Sequence, residues 1–227
     1  MQHKKGKKLN SFTLTELLTA LAIIGVCAVL LISLVIPCVR KAKLESQLVS
    51  FFIRINSALR TSYAESGIVA TLPRKDYTYK ENKDWLENNI LPYIHYKKIE
   101  KCNDPNIYRR NAACVEMHNG TLFEFVVDNN GADFLYFPHG KWFNIEDIHS
   151  AGNNVFAFQF SKRLIKNSDK KIVSQLTIDP YTMNWDGTMS DLYNDPVYGC
   201  TKGTKKFFCA KIIELNGWKI PKEYPVR

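Results

Sequence analysis

The sequence predicts an α+β fold: a long N-terminal α-helix packed on an antiparallel β-sheet. Two patterns carry that reading. Residues 13–66 run first as a continuous apolar stretch and then as an amphipathic one with helical spacing. Beyond them, short alternating apolar and polar runs are separated by Asn/Gly turns, the signature of half-buried strands. The 227 residues suit one globular domain plus an appendage, and 45% hydrophobic with 23% charged residues is the composition of a folded chain.

The N-terminus opens with Lys4, Lys5, Lys7 and Lys8, then Ser11, then Phe12-Thr13-Leu14-Thr15-Glu16-Leu17-Leu18. From 12 to 39 the chain is almost purely apolar and Glu16 is its one charge. That run exceeds the ~20 residues a helix needs to cross a bilayer. A secretory signal has a shorter apolar core with its small-residue cleavage site after it. Here the small residue, Ser11, stands before the run, so a cut at Ser11–Phe12 would discard the basic leader and keep the helix. A carboxylate at the start of a membrane helix is costly and marks function. The plainer account of Glu16 is a carboxylate favoured by the helix dipole at its N-terminus.

Pro37 lacks a backbone donor and predicts a kink where the helix leaves the membrane. The helix then resumes with Leu44, Leu48, Phe51, Phe52, Ile55, Leu59 and Tyr63 on one face. Lys43, Glu45, Gln47, Arg54, Asn56 and Arg60 fall between them, and Ser66-Gly67 supplies the stop. The apolar face of this second half is expected to pack on the sheet. The implied organisation is a leader at 1–11, a membrane and assembly helix at 12–39, its amphipathic continuation at 40–67, and a globular domain at 68–227.

Within that domain a short helix is expected over 83–91, ending at Pro92 and anchored by Trp85 and Ile90. Residues 96–114 read as a loop closed by its own cysteines. Strands are expected at 121–127, 134–137, 155–160, 171–178 and 207–214, with turns at Asn129-Asn130-Gly131 and Gly152-Asn153-Asn154. Phe156, Phe158 and Phe160 alternate with Ala157 and Gln159, which puts the three rings on one face of the sheet over a core. The tail at 216–221 reads as ordered, with a turn and a buried Trp218.

The six cysteines divide. Cys27 and Cys38 belong to the apolar run, whereas Cys102, Cys114, Cys200 and Cys209 lie in the polar part. Four cysteines allow three pairings. The sequence-local choice, Cys102–Cys114 with Cys200–Cys209, closes two short loops. No CxxC and no cysteine–histidine spacing matches a zinc site, so an oxidising compartment is favoured. That compartment and the basic leader orient the chain alike, with the C-terminal domain outside the cytoplasm.

Nothing in the sequence points to an enzyme. It has no nucleophile elbow, no Walker A run and no dinucleotide fingerprint, and His3, His95, His118, His139 and His149 sit in no recognised motif. Asp179, Asp186, Asp191 and Asp195, with Asn184, Gly187 and Asn194, offer hard oxygen ligands of the kind calcium takes, but without EF-hand spacing. Asp128, Asn130, Gly131 and Asp133 read more simply as a hairpin turn. Bases and aromatics interleave at 93–98 and 202–208, a composition that suits contact with DNA and equally a solvated basic loop beside core rings. Four of the charges in the net +9 are leader lysines, so the rest of the chain is only mildly basic.

The N-terminal segment resembles the type IV pilin and type II secretion pseudopilin family. The shared pattern is a short basic leader, a small residue, then Phe-Thr-Leu-x-Glu and an apolar helix, and Phe12 to Glu16 fits it at every fixed position. Ile23-Ile24-Gly25 resembles the family's mid-helix run. Ser11 stands where the family usually has glycine, and Pro37 lies about one turn later than the family's common proline. The resemblance covers about the first 45 residues. It implies a prepilin peptidase cutting between Ser11 and Phe12, N-methylation of Phe12, and Glu16 facing the Phe12 amine of a neighbouring subunit during assembly. It also implies a bacterial inner-membrane location before filament entry. The implied partners are other pilin-like subunits, an inner-membrane assembly platform and membrane lipid. Calcium in C-terminal loops and DNA capture occur in parts of that family and are weaker expectations here.

Overall fold

The computed structural model describes residues 13–66, 78–102, 111–128, 131–140, 151–166 and 172–225, with the side chains of 27–34, 128, 131, 162–166 and 172–174 excepted. The chain forms two compact units, residues 1–43 and 44–227.

Helix α1 (Leu14–Ser66) continues through Pro37. In the first unit its described side chains are exposed: Leu14, Ile23 and Val26 lie on three sides of the helix and stand 74%, 64% and 62% open. The second unit holds the rest of α1, α2 (Tyr79–Asn89), a 3₁₀ turn (Leu91–Tyr93), and six strands. These are β1 (Tyr96–Lys101), β2 (Ala113–Met117), β3 (Leu122–Asp128), β4 (Gly131–Phe137), β5 (Phe156–Lys166) and β6 (Ile172–Pro180). Two short helices, α3 (Met189–Asn194) and α4 (Cys209–Leu215), complete it. The strands form one antiparallel meander in sequence order, so β1 and β6 are its edges. The α+β class and the antiparallel sheet expected from the sequence are both present.

The apolar face of α1 meets the sheet as its spacing implies. Leu44, Leu48, Phe51, Ile55 and Leu59 are buried. Phe51 is the centre: its ring stacks on Tyr136 at 4.3 Å and meets Phe158 at 5.2 Å and Phe123 at 5.7 Å. These rings share a face because Phe123 pairs with Tyr136 and Phe134 with Phe158 across the strands. Trp85 of α2 lies on Phe125 at 5.1 Å and meets Phe160 at 5.3 Å edge-on. The three rings of β5 therefore face one core, although Ala157, on the other face, is buried as well.

Several expectations need correction. The segment at 207–214 is helix α4 and not a strand. Phe208, Cys209, Ile212 and Ile213 are buried, and that i, i+1, i+4, i+5 spacing fits a helical stripe; the β-branched Ile pair masks it in a propensity reading. The region at 96–114 is not simply a loop. Its two ends are β1 and β2, paired from Tyr96↔Met117 to Lys101↔Ala113, and 103–110 lie outside the described residues. β1 carries three lysines, as suits an exposed edge. Helix α2 spans Tyr79–Asn89 rather than 83–91: it starts earlier because Thr78 accepts the Glu81 N–H while Glu81 accepts the Thr78 backbone N–H, and like the expected helix it ends before Pro92. Trp218 is half-buried, leaning on Phe52 at 4.9 Å.

Turns follow glycine where the backbone demands it. Gly152 has φ +90°, its N–H closes on Val155 O at 2.8 Å, and a Cβ there would lie 2.6 Å from Cys209 Sγ. In the β3–β4 turn, Asp128 pairs with Gly131, while 129 and 130 lie outside the described residues. Both sequence-local disulfides are formed, Cys102–Cys114 and Cys200–Cys209, with Cα separations of 5.1 and 4.9 Å. Among the described residues Cys38 is a free, exposed cysteine; Cys27 lies outside the described side chains.

Candidate functional site

The sequence-predicted assembly residues sit at the start of α1. Ser11 and Phe12 lie outside the described residues. Thr13 is the N-cap: its hydroxyl oxygen accepts the Glu16 N–H at 3.2 Å. Glu16 closes the box, its Oε2 accepting from the Thr13 backbone N–H and hydroxyl, both at 2.9 Å. In the single chain this carboxylate therefore caps its own helix while exposed. The expected membrane span at 12–39 includes Phe12 and the side chains of 27–34, which are outside the described residues. Among the described residues no helix is long and apolar enough to cross a membrane.

The calcium candidates are not brought together. Asp186 Oδ1 accepts the Thr188 N–H at 2.7 Å, and Asp191 Oδ2 accepts the Asp186 N–H at 3.2 Å. Asp195 Oδ1 accepts from Val197 and Tyr198 at 2.8 and 2.6 Å. Asp179 takes the hydroxyl hydrogen of Ser161 on the neighbouring strand. These carboxylates serve turns and strands, and among the described residues no group of three or more His, Cys, Asp or Glu could hold a metal ion.

The basic–aromatic segments are largely self-satisfied. Lys97 pairs with Glu116 at 2.8 Å and Lys98 with Glu100 at 2.9 Å. Accordingly Glu116 is held below its usual carboxylate range, chiefly by the Lys97 hydrogen bond. In the second segment Phe208 is buried, Phe207 packs edge-on against Tyr181 at 5.2 Å, and Lys205 lies over the Tyr198 ring at 5.6 Å. The rings of the second segment therefore belong to packing.

Tertiary structure assembles one cleft that no sequence motif announces. It has a volume of about 670 Å³ and is lined by Arg54, Ser57, Tyr93, Ile94, His95, His118 and Asn119. α1 presents Arg54 and Ser57 from its solvent side. The end of the 3₁₀ turn and the two residues after it present Tyr93 to His95, and the β2–β3 turn presents His118 and Asn119. Gly120, at φ +78°, lets that turn close, with its N–H on Met117 O at 3.0 Å. Asn119 Oδ1 accepts from the Thr121 N–H at 3.1 Å and the Thr121 hydroxyl at 2.8 Å, which leaves its amide NH₂ for the cleft. Tyr93 donates its hydroxyl hydrogen to Glu65 at 2.7 Å, and that bond raises its pKa. Two local signals touch it, the Asn119-Gly120 turn and the basic–aromatic run at 93–98 that supplies Tyr93 to His95; the rest depends on three distant segments meeting.

No curated protein and no solved structure matches the chain. A family profile does match residues 34–227, which take in the second unit and the part of α1 leading into it, and leave the Phe12–Glu16 segment outside. The chain belongs to that family, described as a family of unknown function (DUF6613).

Proposed function

We propose that the protein is a pilin-like structural subunit, a pseudopilin or minor pilin. In this reading it is processed before Phe12 and polymerised through α1 into an envelope filament for secretion, adhesion, motility or DNA uptake. The observation that carries the reading is the leader–Ser11–Phe-Thr-Leu-Thr-Glu sequence running directly into a helix whose described apolar side chains are exposed on several sides. Such a surface needs an apolar environment, first lipid and then the helices of other subunits.

Glu16 has a defined chemical role in this scheme. In the single chain it is held by Thr13. In a helical core without water a carboxylate needs a cation, and the methylated Phe12 ammonium of a neighbour supplies one. Exchange of the intrachain cap for that ion pair sets the axial register between subunits. Prepilin peptidase, an inner-membrane platform and other pilin-like subunits are the partners this requires, and the second unit is carried outside the cytoplasm.

The test is the mass of the protein and its N-terminal fragment, purified from its native membrane. A chain beginning at Phe12 with one added methyl supports the reading, as does loss of filament entry in Glu16→Ala. A second reading, an uncleaved membrane-anchored binding domain, draws on the Arg54 cleft. A chain retaining Met1 to Ser11 in a host with active peptidase would favour it.

A further inference from the structure

We propose that the Arg54 cleft is a binding site for a small organic oxyanion, with a carboxylate or phosphate group held at the Arg54–His118–Asn119 side and an uncharged body resting on Tyr93 and Ile94. The cleft lies wholly within residues 44–227, so its ligand chemistry is independent of how residues 12–39 are used.

The donor set carries the inference. Arg54, which lines the cleft, has no ion-pair partner among the described residues, so its charge is not already neutralised there. Asn119 presents only donors, because Thr121 occupies its oxygen. His95 and His118 add two imidazoles, which donate from at least one ring nitrogen in either protonation state, and Ser57 adds a hydroxyl. No carboxylate lines the cleft. Glu65, which does not line the cleft, accepts the hydroxyl hydrogen of Tyr93 at 2.7 Å. A site of donors without an acid selects an anion, and a guanidinium fork matches the two oxygens of a carboxylate or phosphate. The volume of about 670 Å³ exceeds what an inorganic ion fills and falls in the range of small-molecule sites. Arg54 and Ser57 stand one helical turn apart on a helix anchored in the core by Phe51 and Ile55, and the Asn119 side chain is fixed by its bonds to Thr121, so the backbone positions that carry the donors are set before a ligand arrives.

The experiment is calorimetric titration of the full chain in detergent micelles with benzoate, phenyl phosphate and the neutral benzyl alcohol. Saturable binding of an anion, with none of benzyl alcohol, is expected, and the tighter of the two anions identifies carboxylate or phosphate monoester as the natural head group. Arg54→Gln should weaken that binding by about tenfold or more, the usual effect of losing a charged hydrogen bond. Asn119→Asp keeps the oxygen that accepts from Thr121 but places a negative charge in the cleft, and should weaken it at least as much. Lys97→Gln, on a lysine already paired with Glu116, should leave it unchanged. Absence of saturable binding by either anion, or equal binding in Arg54→Gln and Asn119→Asp variants that melt like the parent chain, overturns the proposal.

Discussion

Asn56 of α1 satisfies both outward backbone groups of Ile178 in edge strand β6: its Nδ2 donates to Ile178 O at 3.0 Å and its Oδ1 accepts the Ile178 N–H at 3.0 Å. The pair is buried, and it joins residues 122 positions apart. One amide thus caps an edge strand that would otherwise present unpaired backbone, and pins the helix in register on the sheet.

Asn56→Ala is expected to destabilise the second unit by roughly 2–4 kcal/mol, because it leaves a buried donor and a buried acceptor without partners. Asn56→Asp is expected to be no better, since a carboxylate cannot donate to Ile178 O and is itself buried. Denaturant midpoints of the full chain measure both. A midpoint within error of the parent for Asn56→Ala would show that water takes over both bonds.

Glu45 ties the C-terminal tail to the same helix. Its Oε1 accepts the Ile220 N–H at 2.9 Å and its Oε2 accepts from Lys219 Nζ at 3.0 Å. Lys219 is 70% exposed, so its pair with Glu45 is screened and Lys219→Ala is expected to cost less than about 1 kcal/mol. Glu45→Ala also orphans the Ile220 N–H and is expected to free the tail. Limited proteolysis read by mass spectrometry should show cleavage after residue 216 accelerated in Glu45→Ala and little changed in Lys219→Ala.

The two disulfides differ in setting. Cys200 and Cys209 lie in the main core beside Ile212 and Ile213, whereas Cys102 and Cys114 share a small separate cluster with Ala112 and Val126. Chain-entropy reasoning gives about 3 kcal/mol for loops of this size. Replacing Cys200 and Cys209 by serine should exceed that figure, because it also places hydroxyls in the core under α4. The Cys102/Cys114 pair should stay near it. Equal midpoint losses for the two double variants would contradict the distinction. Alkylation of the native chain is expected to label Cys38 and spare all four bridged positions.

Alkali should act through buried tyrosines. Burial pushes the Tyr136 phenol up to about 12, opposed by its Thr121 hydrogen bond and the Arg54 charge, and burial holds Tyr224 well above its ordinary value. A folded-state pKa above the unfolded value of about 10 means the folded chain holds the proton more tightly. That contribution is complete below pH ~10 and is lost as pH rises towards ~12. Circular dichroism and tyrosinate absorbance followed together should show unfolding across that window, shifted to higher pH in Tyr136→Phe. An unshifted transition in that variant would remove Tyr136 as a cause.

Where periodicity was strong, the sequence determined the outcome. The apolar spacing from Leu44 to Leu59 dictated which side of α1 is buried. The Phe156–Phe158–Phe160 alternation dictated one face of β5. The short cysteine spacings matched the two bridges formed. The Phe12–Glu16 segment, and with it the proposed assembly role, is likewise a property of sequence, because its chemistry is local. Tertiary structure decided what depends on distant partners. Asn56 and Glu45 read as members of a polar face, yet they are buried, because each finds a backbone group on a strand or tail far along the chain. Residues 209–215 became helix because the burial of Cys209, Ile212 and Ile213 outweighed the β-propensity of the isoleucines. The carboxylates of the 179–195 region look like ligands in a list of residues, but each accepts from a nearby N–H or hydroxyl, and among the described residues the fold does not gather them into a metal-holding group. The Arg54 cleft exists only because a helix face, a 3₁₀ turn and a hairpin tip meet, and no local pattern encodes that meeting.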